Sequence, residues 1–366
     1  MPLLHLPLPS LIVLDVVFKN TITFENSRKS FPKHSPNISE LSICMLYQEG
    51  GFTTIEPDYI SRWQNLCSLD LPHVALGVDA LVHLSRMPAL SRLSCTLSDT
   101  LPASDSPLSF YRLYDLQLQS QSLELISRIL SWTQLPAITR FYAHITRSPS
   151  RREVSSFIVG ISTSNSSHII EHLTLDQFYP CIDDPAREDD LWLGFEDLRP
   201  WMAFSNLSQL DLNINGKVTL TDNQLLELAS AWPKLAYLLI NLDYGWKSHG
   251  ITPGGLVRLL QTCRSLSQLA LVLDTRGYTK VPPDQDLASL GWTFSHKLSI
   301  GVLDSAIEAE SVPALATFFA GLAACCGFLF RLETHSDRAS SSVIPNAEEH
   351  TKRWDDVRRR AQECGF

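Results

Sequence analysis

Residues 221–240 read TDNQLLELASAWPKLAYLLI, and residues 252–271 repeat the same pattern as TPGGLVRLLQTCRSLSQLAL. In each copy, apolar residues first recur with the 3.6-residue period of a helix and then with the two-residue period of a strand. Each copy therefore predicts an amphipathic helix, a tight corner and a short strand of the form Leu-x-x-Leu-x-Leu. Recurrence at this length is typical of a solenoid, in which repeated units stack to bury a shared core.

The Leu-x-x-Leu-x-Leu pattern recurs along almost the whole chain, at intervals of 23 to 37 residues. These intervals are close to or slightly above the usual leucine-rich-repeat length of about 20–29 residues. One strand and one helix per repeat predicts an α/β leucine-rich-repeat solenoid, a horseshoe with a concave parallel sheet and convex helices. About eleven irregular repeats begin at Leu11, Ile38, Leu66, Leu90, Leu113, Ile138, Ile170, Leu207, Leu235, Leu266 and Ser295.

The corners between helix and strand repeat as well. Proline lies two residues before the strand unit in five repeats, where it cannot extend the preceding helix and favours extended backbone. Helices are predicted near 79–87, 122–133, 153–162 and 197–205, and Thr252 is predicted to cap the helix that starts at Pro253. A large apolar residue three positions before the unit is predicted to fill the interior at Leu8, Trp63, Met87, Phe110, Leu135, Phe204, Trp232, Cys263 and Trp292.

The repeat pattern assigns residues 1–335 to the solenoid. Residues 336–347 are predicted to be a flexible linker, and residues 348–366 to form an amphipathic helix that caps the open end of the solenoid. One face of that helix carries Trp354, Val357, Ala361 and Cys364.

Two apolar stretches raise the question of membrane targeting. The N-terminal stretch lacks a basic start and contains three prolines before Asp15, so it is a poor signal peptide. Residues 311–330 are uncharged and long enough to span a bilayer. Pro313 and two glycines weaken that reading, and the repeat pattern places a helix and a strand there. A repeat core and a membrane tether both stay open.

Composition narrows the possible partners and the compartment. The formal net charge of −9 argues against nucleic acid or an anionic membrane as the main partner. The eight cysteines form no Cys-x-x-Cys pair and no evident disulfide framework. We therefore expect free thiols, mostly in the core, and a reducing compartment, either cytoplasm or nucleus.

No motif in the sequence predicts catalysis. There is no phosphate-binding glycine loop, no dinucleotide fingerprint and no nucleophile elbow. His168 and His172 would suit zinc on a helix, but at the start of a strand they are too far apart for one ion. The sequence therefore predicts a non-enzymatic protein without a metal or cofactor.

The concave face is the remaining candidate site. In Leu-x-x-Leu-x-Leu, the third, fifth and seventh positions point away from the core, and Asn241 is one of them. The central part of the predicted face mixes arginine and tyrosine, which are enriched at binding hot spots. We expect a protein partner to contact Arg92, Asp115, Arg140, Tyr142, His144, His172, Asp176, Asp211 and Tyr237.

The sequences LTDNQLLELASAWPKLAYL and GITPGGLVRLLQTCRSLSQLALVLD, from residues 220 and 250 onward, resemble the repeat region of F-box-like leucine-rich-repeat proteins of mushroom-forming fungi. The likeness covers roughly residues 8–335 and is carried by the Trp-Pro-x-Leu and Cys-x-x-Leu corners. It implies the substrate-recognition subunit of a cullin–RING ubiquitin ligase, in which an F-box binds the ligase adaptor and the repeats hold the substrate.

No F-box is evident before the first repeat, so no adaptor-binding residue is carried over from the family. Either an F-box is encoded upstream of Met1, or this chain kept only the binding half. A stand-alone leucine-rich-repeat scaffold is the alternative to the ligase subunit.

Overall fold

The computed structural model describes residues 12–18, 37–45, 53–55, 60, 63–99, 107–162, 167–178, 191–246, 250–282, 297–303, 305–326, 330–333 and 347–363. The chain folds into two compact units, residues 1–172 and 173–366. The predicted linker over 336–347 lies almost wholly outside the described residues, as do the repeat starts Leu11 and Ser295.

The other nine repeat starts are confirmed as core positions, since each is at most 2% exposed. In all nine repeats a strand begins two residues after the start. The buried leucine or isoleucine therefore anchors the corner, and the chain becomes extended directly after it.

Six parallel strands form the main sheet of the first unit, in the order β1-β2-β4-β5-β7-β9, with β3 beside β4. A second, small sheet pairs β6 with β8. The strands are β1 (Val13–Phe18), β2 (Glu40–Met45), β3 (Thr53–Ile55), β4 (Ser68–Leu76), β5 (Arg92–Leu97), β6 (Leu108–Ser109), β7 (Asp115–Ser120), β8 (Thr133–Gln134) and β9 (Arg140–Ile145). The helices are α1 (Val78–Ser85), α2 (Leu123–Ser131) and α3 (Arg151–Ser162), followed by a 3₁₀ turn at Ser167–Ile169.

The second unit repeats this arrangement, with strands in the order β10-β12-β14-β15-β16-β17 and a small sheet of β11 and β13. The strands are β10 (His172–Gln177), β11 (Trp192–Leu193), β12 (Gln209–Asn213), β13 (Lys217–Val218), β14 (Tyr237–Ile240), β15 (Gln268–Ala270), β16 (Leu298–Gly301) and β17 (Phe330–Glu333). The helices are α4 (Phe195–Leu198), α5 (Asp222–Ser230), α6 (Pro253–Thr262), α7 (Val312–Cys326) and α8 (Ala347–Glu363), with 3₁₀ turns at Arg199–Ala203 and Ala309–Ser311.

Side-chain caps define where α5 and α6 begin. The Thr221 hydroxyl accepts from the Gln224 amide, and the Gln224 side chain accepts from the Thr221 amide, which is a capping box. The predicted cap at Thr252 is confirmed, because its hydroxyl accepts from the Gly255 amide at 3.0 Å. Thr252 in turn donates to Asp222 of α5 through its amide and its hydroxyl, so each helix start stabilises the next.

The apolar corner residues fill the interior as predicted. Trp63, Phe204 and Trp232 are at most 1% exposed. The indole of Trp232 donates to the carbonyl of Trp201 at 3.0 Å, so its one polar atom is satisfied in the core. Leu8 and Trp292 lie outside the described residues.

Asn241 does not point away from the core, although the strand alternation predicted that it would. Its backbone has a positive φ of 53°, which turns the chain sharply at the end of β14, and its side chain is fully buried. The side chain accepts from the Ile214 amide at 3.1 Å and donates to the Gly216 carbonyl at 2.8 Å. Asn241 therefore ties the end of β14 to the segment 214–216 that follows β12.

Residues 311–330 contain a helix of 15 residues, α7, and the start of β17. Phe319 of α7 contacts Trp354 of α8 edge to face, with ring centroids 6.0 Å apart. The Trp354 indole donates to the Ser305 carbonyl at 2.8 Å. In the part of the chain that the structure describes, no helix combines the length and apolar character needed to cross a bilayer.

Candidate functional site

Strand alternation places the candidate residues on neighbouring strands in each unit. In the first unit, Arg92, Asp115 and Arg140 are register partners at the starts of β5, β7 and β9. Ser94, Gln117 and Tyr142 form the next rung, and Thr96, Gln119 and His144 the third. His172 is the last residue of the first unit, and Asp176, Asp211 and Tyr237 belong to the second.

Opposite charges alternate along the first rung. A guanidinium nitrogen of Arg92 lies 3.6 Å from Glu40, reaching across Ser68 of the intervening strand. A guanidinium nitrogen of Arg140 lies 3.9 Å from Asp115. Both arginine side chains are close to half exposed. Both ion pairs are long and exposed to solvent. Each arginine can therefore exchange the carboxylate that it contacts within the chain for a carboxylate of a partner.

Partial burial alters the protonation of groups around this row. Burial raises the pKa of Asp115 above its usual range, and Arg140, Arg92 and His172 offset part of that rise. Burial also raises the pKa of Tyr142, with a further contribution from the Asp115 carboxylate. Burial and the Arg140 charge lower the pKa of His172, against the opposing effect of Glu171 and Asp115. At neutral pH, His172 is therefore a neutral imidazole beside a cationic arginine.

His144 occupies the predicted face but is only 9% exposed. It lies on the third rung, near the carboxyl end of β9, where Thr96 is also buried. Tyr142, one rung earlier, is half-buried and leaves part of its ring accessible. The accessible part of this face in the first unit therefore centres on Arg92, Asp115, Arg140 and Tyr142.

A hydrogen-bonded set of polar residues occupies the corresponding face of the second unit. The Asn213 side-chain amide donates to Asp176 at 2.8 Å and to Asp243 at 2.7 Å. The Asn213 side-chain oxygen accepts from the Asp243 amide at 3.1 Å. Asn213 thus links Asp176 of β10 and Asp243 of the turn after β14, which are 37 and 30 residues away in sequence. The sequence pattern singled out Asp176 but not this bridging role.

Asp211 lies among these carboxylates. Burial, together with the charges of Asp176 and Asp243, raises the pKa of Asp211 to about 7. Its Oδ1 atom is buried and makes no hydrogen bond within the described residues. The same causes raise the pKa of Tyr244, whose hydroxyl donates to the Gln177 carbonyl at 2.9 Å. This part of the face therefore carries negative potential and a carboxyl group that titrates near neutrality.

Tyr237 begins β14 in register with Gln209 and Gln268 and is 41% exposed. Its ring offers an accessible aromatic surface in the second unit. Tyr244, which the Leu-x-x-Leu-x-Leu register does not reach, follows the tight turn after β14. The positive φ at Asn241 redirects the chain at that point, and the repeat pattern carries no signal for it.

Among the described residues, no three His, Cys, Asp or Glu side chains are grouped so as to hold a metal ion. His172 begins β10, as the strand assignment predicted, whereas His168 lies in the 3₁₀ turn rather than in extended backbone. The described cysteines are free thiols: Cys44, Cys67, Cys95, Cys263 and Cys325.

No protein-family model matches the sequence, and no curated protein matches it. Solved structures with related chain paths include an internalin (InlF) from Listeria monocytogenes, at 12% identity over 89% of this chain and 82% of that one, with a TM-score of 0.33. Rad7 in its complex with Elc1 from yeast aligns at 13% identity over 82% and 72%, with a TM-score of 0.36. The PEPR1–AtPEP1 complex aligns at 15% identity over 77% of this chain and 37% of that one, with a TM-score of 0.34.

Scores this low say nothing about what this chain binds, so its own repeating strands and helices decide the fold class. The chain has an α/β leucine-rich-repeat fold. Nine parallel strands, each beginning two residues after a buried leucine or isoleucine, carry that conclusion.

Proposed function

We propose that this chain is a protein-binding module whose partner contacts the concave face, with the accessible row Arg92, Asp115, Arg140 and Tyr142 as the energetic centre. The observation that carries the proposal is that two half-exposed arginines pair only loosely with carboxylates in the row. Extended concave sheets are the surfaces that solenoids use for binding. Arginine and tyrosine are enriched among the few residues that supply most of the binding energy at protein interfaces.

The proposed module is the substrate-recognition part of an F-box-type cullin–RING ubiquitin ligase. This finer assignment is supported by the Trp-Pro-x-Leu and Cys-x-x-Leu corners, which resemble those of F-box-like repeat proteins. The ligase adaptor would then be a second partner, bound apart from the concave face. A stand-alone scaffold, with the same binding face and no ligase link, is the alternative.

Affinity capture from a lysate of the source organism tests both statements. The bait is the full chain, compared with a concave-face variant that combines Arg140→Glu and Tyr142→Ala. A control variant combines Arg152→Glu and Val159→Ala on α3, where both side chains are exposed. Captured proteins are identified by mass spectrometry, and the cullin–RING adaptor is probed with an antibody.

For a ligase subunit, the adaptor elutes with all three baits, whereas the substrate elutes with the wild type and the control variant only. Adaptor absent from every eluate, with one protein lost selectively from the concave-face variant, leaves the stand-alone scaffold. Equal capture by all three baits, with thermal stability unchanged, rejects the concave face as the binding surface.

A further inference from the structure

A groove of about 490 Å³ lies beside the carboxyl end of α1 in the first unit. It is lined by the last turn of α1, by the corner that follows, and by residues 107–112. None of the nine concave-face candidates lines it. Its volume falls within the range of sites that enclose small ligands or short peptide segments.

Two arginines give the groove a positive charge. Arg86 and Arg112 both line it, and both are exposed. Within the described residues, neither guanidinium forms an ion pair or a hydrogen bond, and none of the lining side chains is acidic. A guanidinium presents its donors in a planar fork that fits a carboxylate. The two arginines therefore favour an anionic ligand in this groove.

Apart from the two arginines, Ser85 and Ser109, the residues that line the groove are aliphatic or aromatic. Met87 and Pro88 form the wall after α1, and Tyr111 is 72% exposed. An exposed tyrosine beside proline and methionine is a surface for side chains rather than for an isolated small anion. The occupant must therefore combine negative charge with apolar contact.

A strand edge also borders the groove. The amides of Leu108 and Phe110 donate to the carbonyls of Trp132 and Gln134, at 2.9 and 3.0 Å, on the β8 side of β6. Backbone groups alternate along a strand, so the amide and carbonyl of Ser109 point to the opposite edge. Ser109 lines the groove together with residues of α1, which contacts β6. Among the described residues, no strand pairs with this edge of β6, so it can accept an added extended peptide.

We propose that this groove binds an extended acidic segment of a partner protein, with its carboxylates on Arg86 and Arg112 and its backbone aligned with the open edge of β6. The two arginine charges favour acidic side chains in the bound segment. The backbone groups at the edge of β6 favour a segment with an extended backbone. The chain as a whole carries a net charge of −9. Charges at a distance are screened within about 8 Å at physiological salt, so the two adjacent arginines dominate the local field.

Fluorescence anisotropy with the full chain tests the proposal. The probe is fluorescein-labelled Glu-Val-Glu-Val-Glu-Val, and its matched controls are the Gln-Val-Gln-Val-Gln-Val peptide and a backbone N-methylated acidic peptide. We expect the acidic probe to bind at least tenfold more tightly than either control. We also expect its affinity to fall steeply between 50 and 300 mM NaCl.

Protein variants locate the binding. Arg86→Glu combined with Arg112→Glu is expected to weaken binding of the acidic probe at least thirtyfold, and the single variants Arg86→Gln and Arg112→Gln at least threefold each. Arg152→Glu reverses one charge on α3, outside the groove, and is expected to leave affinity within twofold. The Arg140→Glu, Tyr142→Ala variant is also expected to bind normally, which separates this groove from the concave face.

Equal binding of the acidic and glutamine peptides, or wild-type affinity in the Arg86, Arg112 variants, overturns the proposal. Equal binding of the N-methylated peptide overturns the alignment with β6. Arginine-dependent binding of a single-stranded oligonucleotide, without binding of the acidic peptide, would assign the groove to nucleic acid and reject a peptide.

Discussion

Replacing Asp211 by asparagine is predicted to stabilise the second unit at neutral and alkaline pH. Burial and two neighbouring carboxylates raise the pKa of Asp211 to about 7, whereas an aspartate in an unfolded chain has a pKa of about 3.9. Between these values the folded state holds a proton that the unfolded state has released. Folding stability therefore falls as pH rises from about 4 to 7, and above pH 7 the full cost persists.

The pKa difference sets the size of the effect. At pH 8 the charged Asp211 costs the fold at most about 4 kcal/mol, of which about 2 kcal/mol develops between pH 5 and 7. Asparagine has nearly the same shape and removes the charge. Its amide also supplies a donor where Asp211 has a buried oxygen atom without a hydrogen bond among the described residues. Both changes favour the folded state of the variant.

Urea unfolding followed by tryptophan fluorescence at pH 5, 6, 7 and 8 measures the prediction. The difference in unfolding free energy, Asp211→Asn minus wild type, is expected to be positive and to grow by about 2–3 kcal/mol from pH 5 to 8. Glu227→Gln, which neutralises an exposed carboxylate on α5 of the same unit, is the matched control and is expected to show a flat difference. A flat or falling difference for Asp211→Asn would refute the account of this cluster.

Three further predictions concern the fold and are measured by denaturant unfolding. Trp354→Ala removes a side chain that is 2% exposed and is expected to lower the free energy of unfolding by about 3–5 kcal/mol. Lys352→Ala, on the exposed face of α8, should change it by no more than about 0.5 kcal/mol. Equal effects would contradict the packing of α8. Gly250→Ala would place a Cβ 1.9 Å from a backbone carbonyl oxygen and is expected to cost at least about 1–3 kcal/mol. A Cβ at Gly321, inside α7, would lie within 4 Å of no other atom, so Gly321→Ala should raise the free energy of unfolding by up to about 1 kcal/mol. If Gly250→Ala proved more stable than Gly321→Ala, the close approach at Gly250 would be wrong. Asn241→Ala loses two buried hydrogen bonds and is expected to lower the free energy of unfolding by about 2–4 kcal/mol. Asn241→Gly is expected to be about 1 kcal/mol more stable than Asn241→Ala, because glycine accepts the positive φ. Equal stability of the two variants would show that the lost side-chain hydrogen bonds alone cause the effect.

The sequence predicted the strands well because the signal is local. A buried leucine or isoleucine at each corner and a two-residue alternation after it place nine strand starts without reference to any other repeat. The same alternation brought Arg92, Asp115 and Arg140 into one register. Both results depend only on residues within one repeat and on the regular stacking of neighbours.

Features that depend on unequal repeat lengths could not be predicted. Asn213 contacts residues 37 and 30 positions away, and no fixed period relates these intervals. Asn241 left the predicted face because its positive φ, which the sequence pattern does not encode, turned its side chain into the core. The groove next to β6 could not be predicted for a similar reason, because Arg86 and Arg112 belong to different corners and share no motif.

Site-specific photocrosslinking tests the central claim, that a partner contacts the concave face, most directly. The photoreactive residue p-benzoylphenylalanine replaces Tyr142 on the concave face in one bait and Val159 on α3, which is 47% exposed, in the other. Irradiation in lysate followed by mass spectrometry identifies what each position touches. We predict that position 142 crosslinks to the protein that the Arg140→Glu, Tyr142→Ala variant fails to capture, and that position 159 does not. Crosslinking of that protein from position 159 alone would contradict the account.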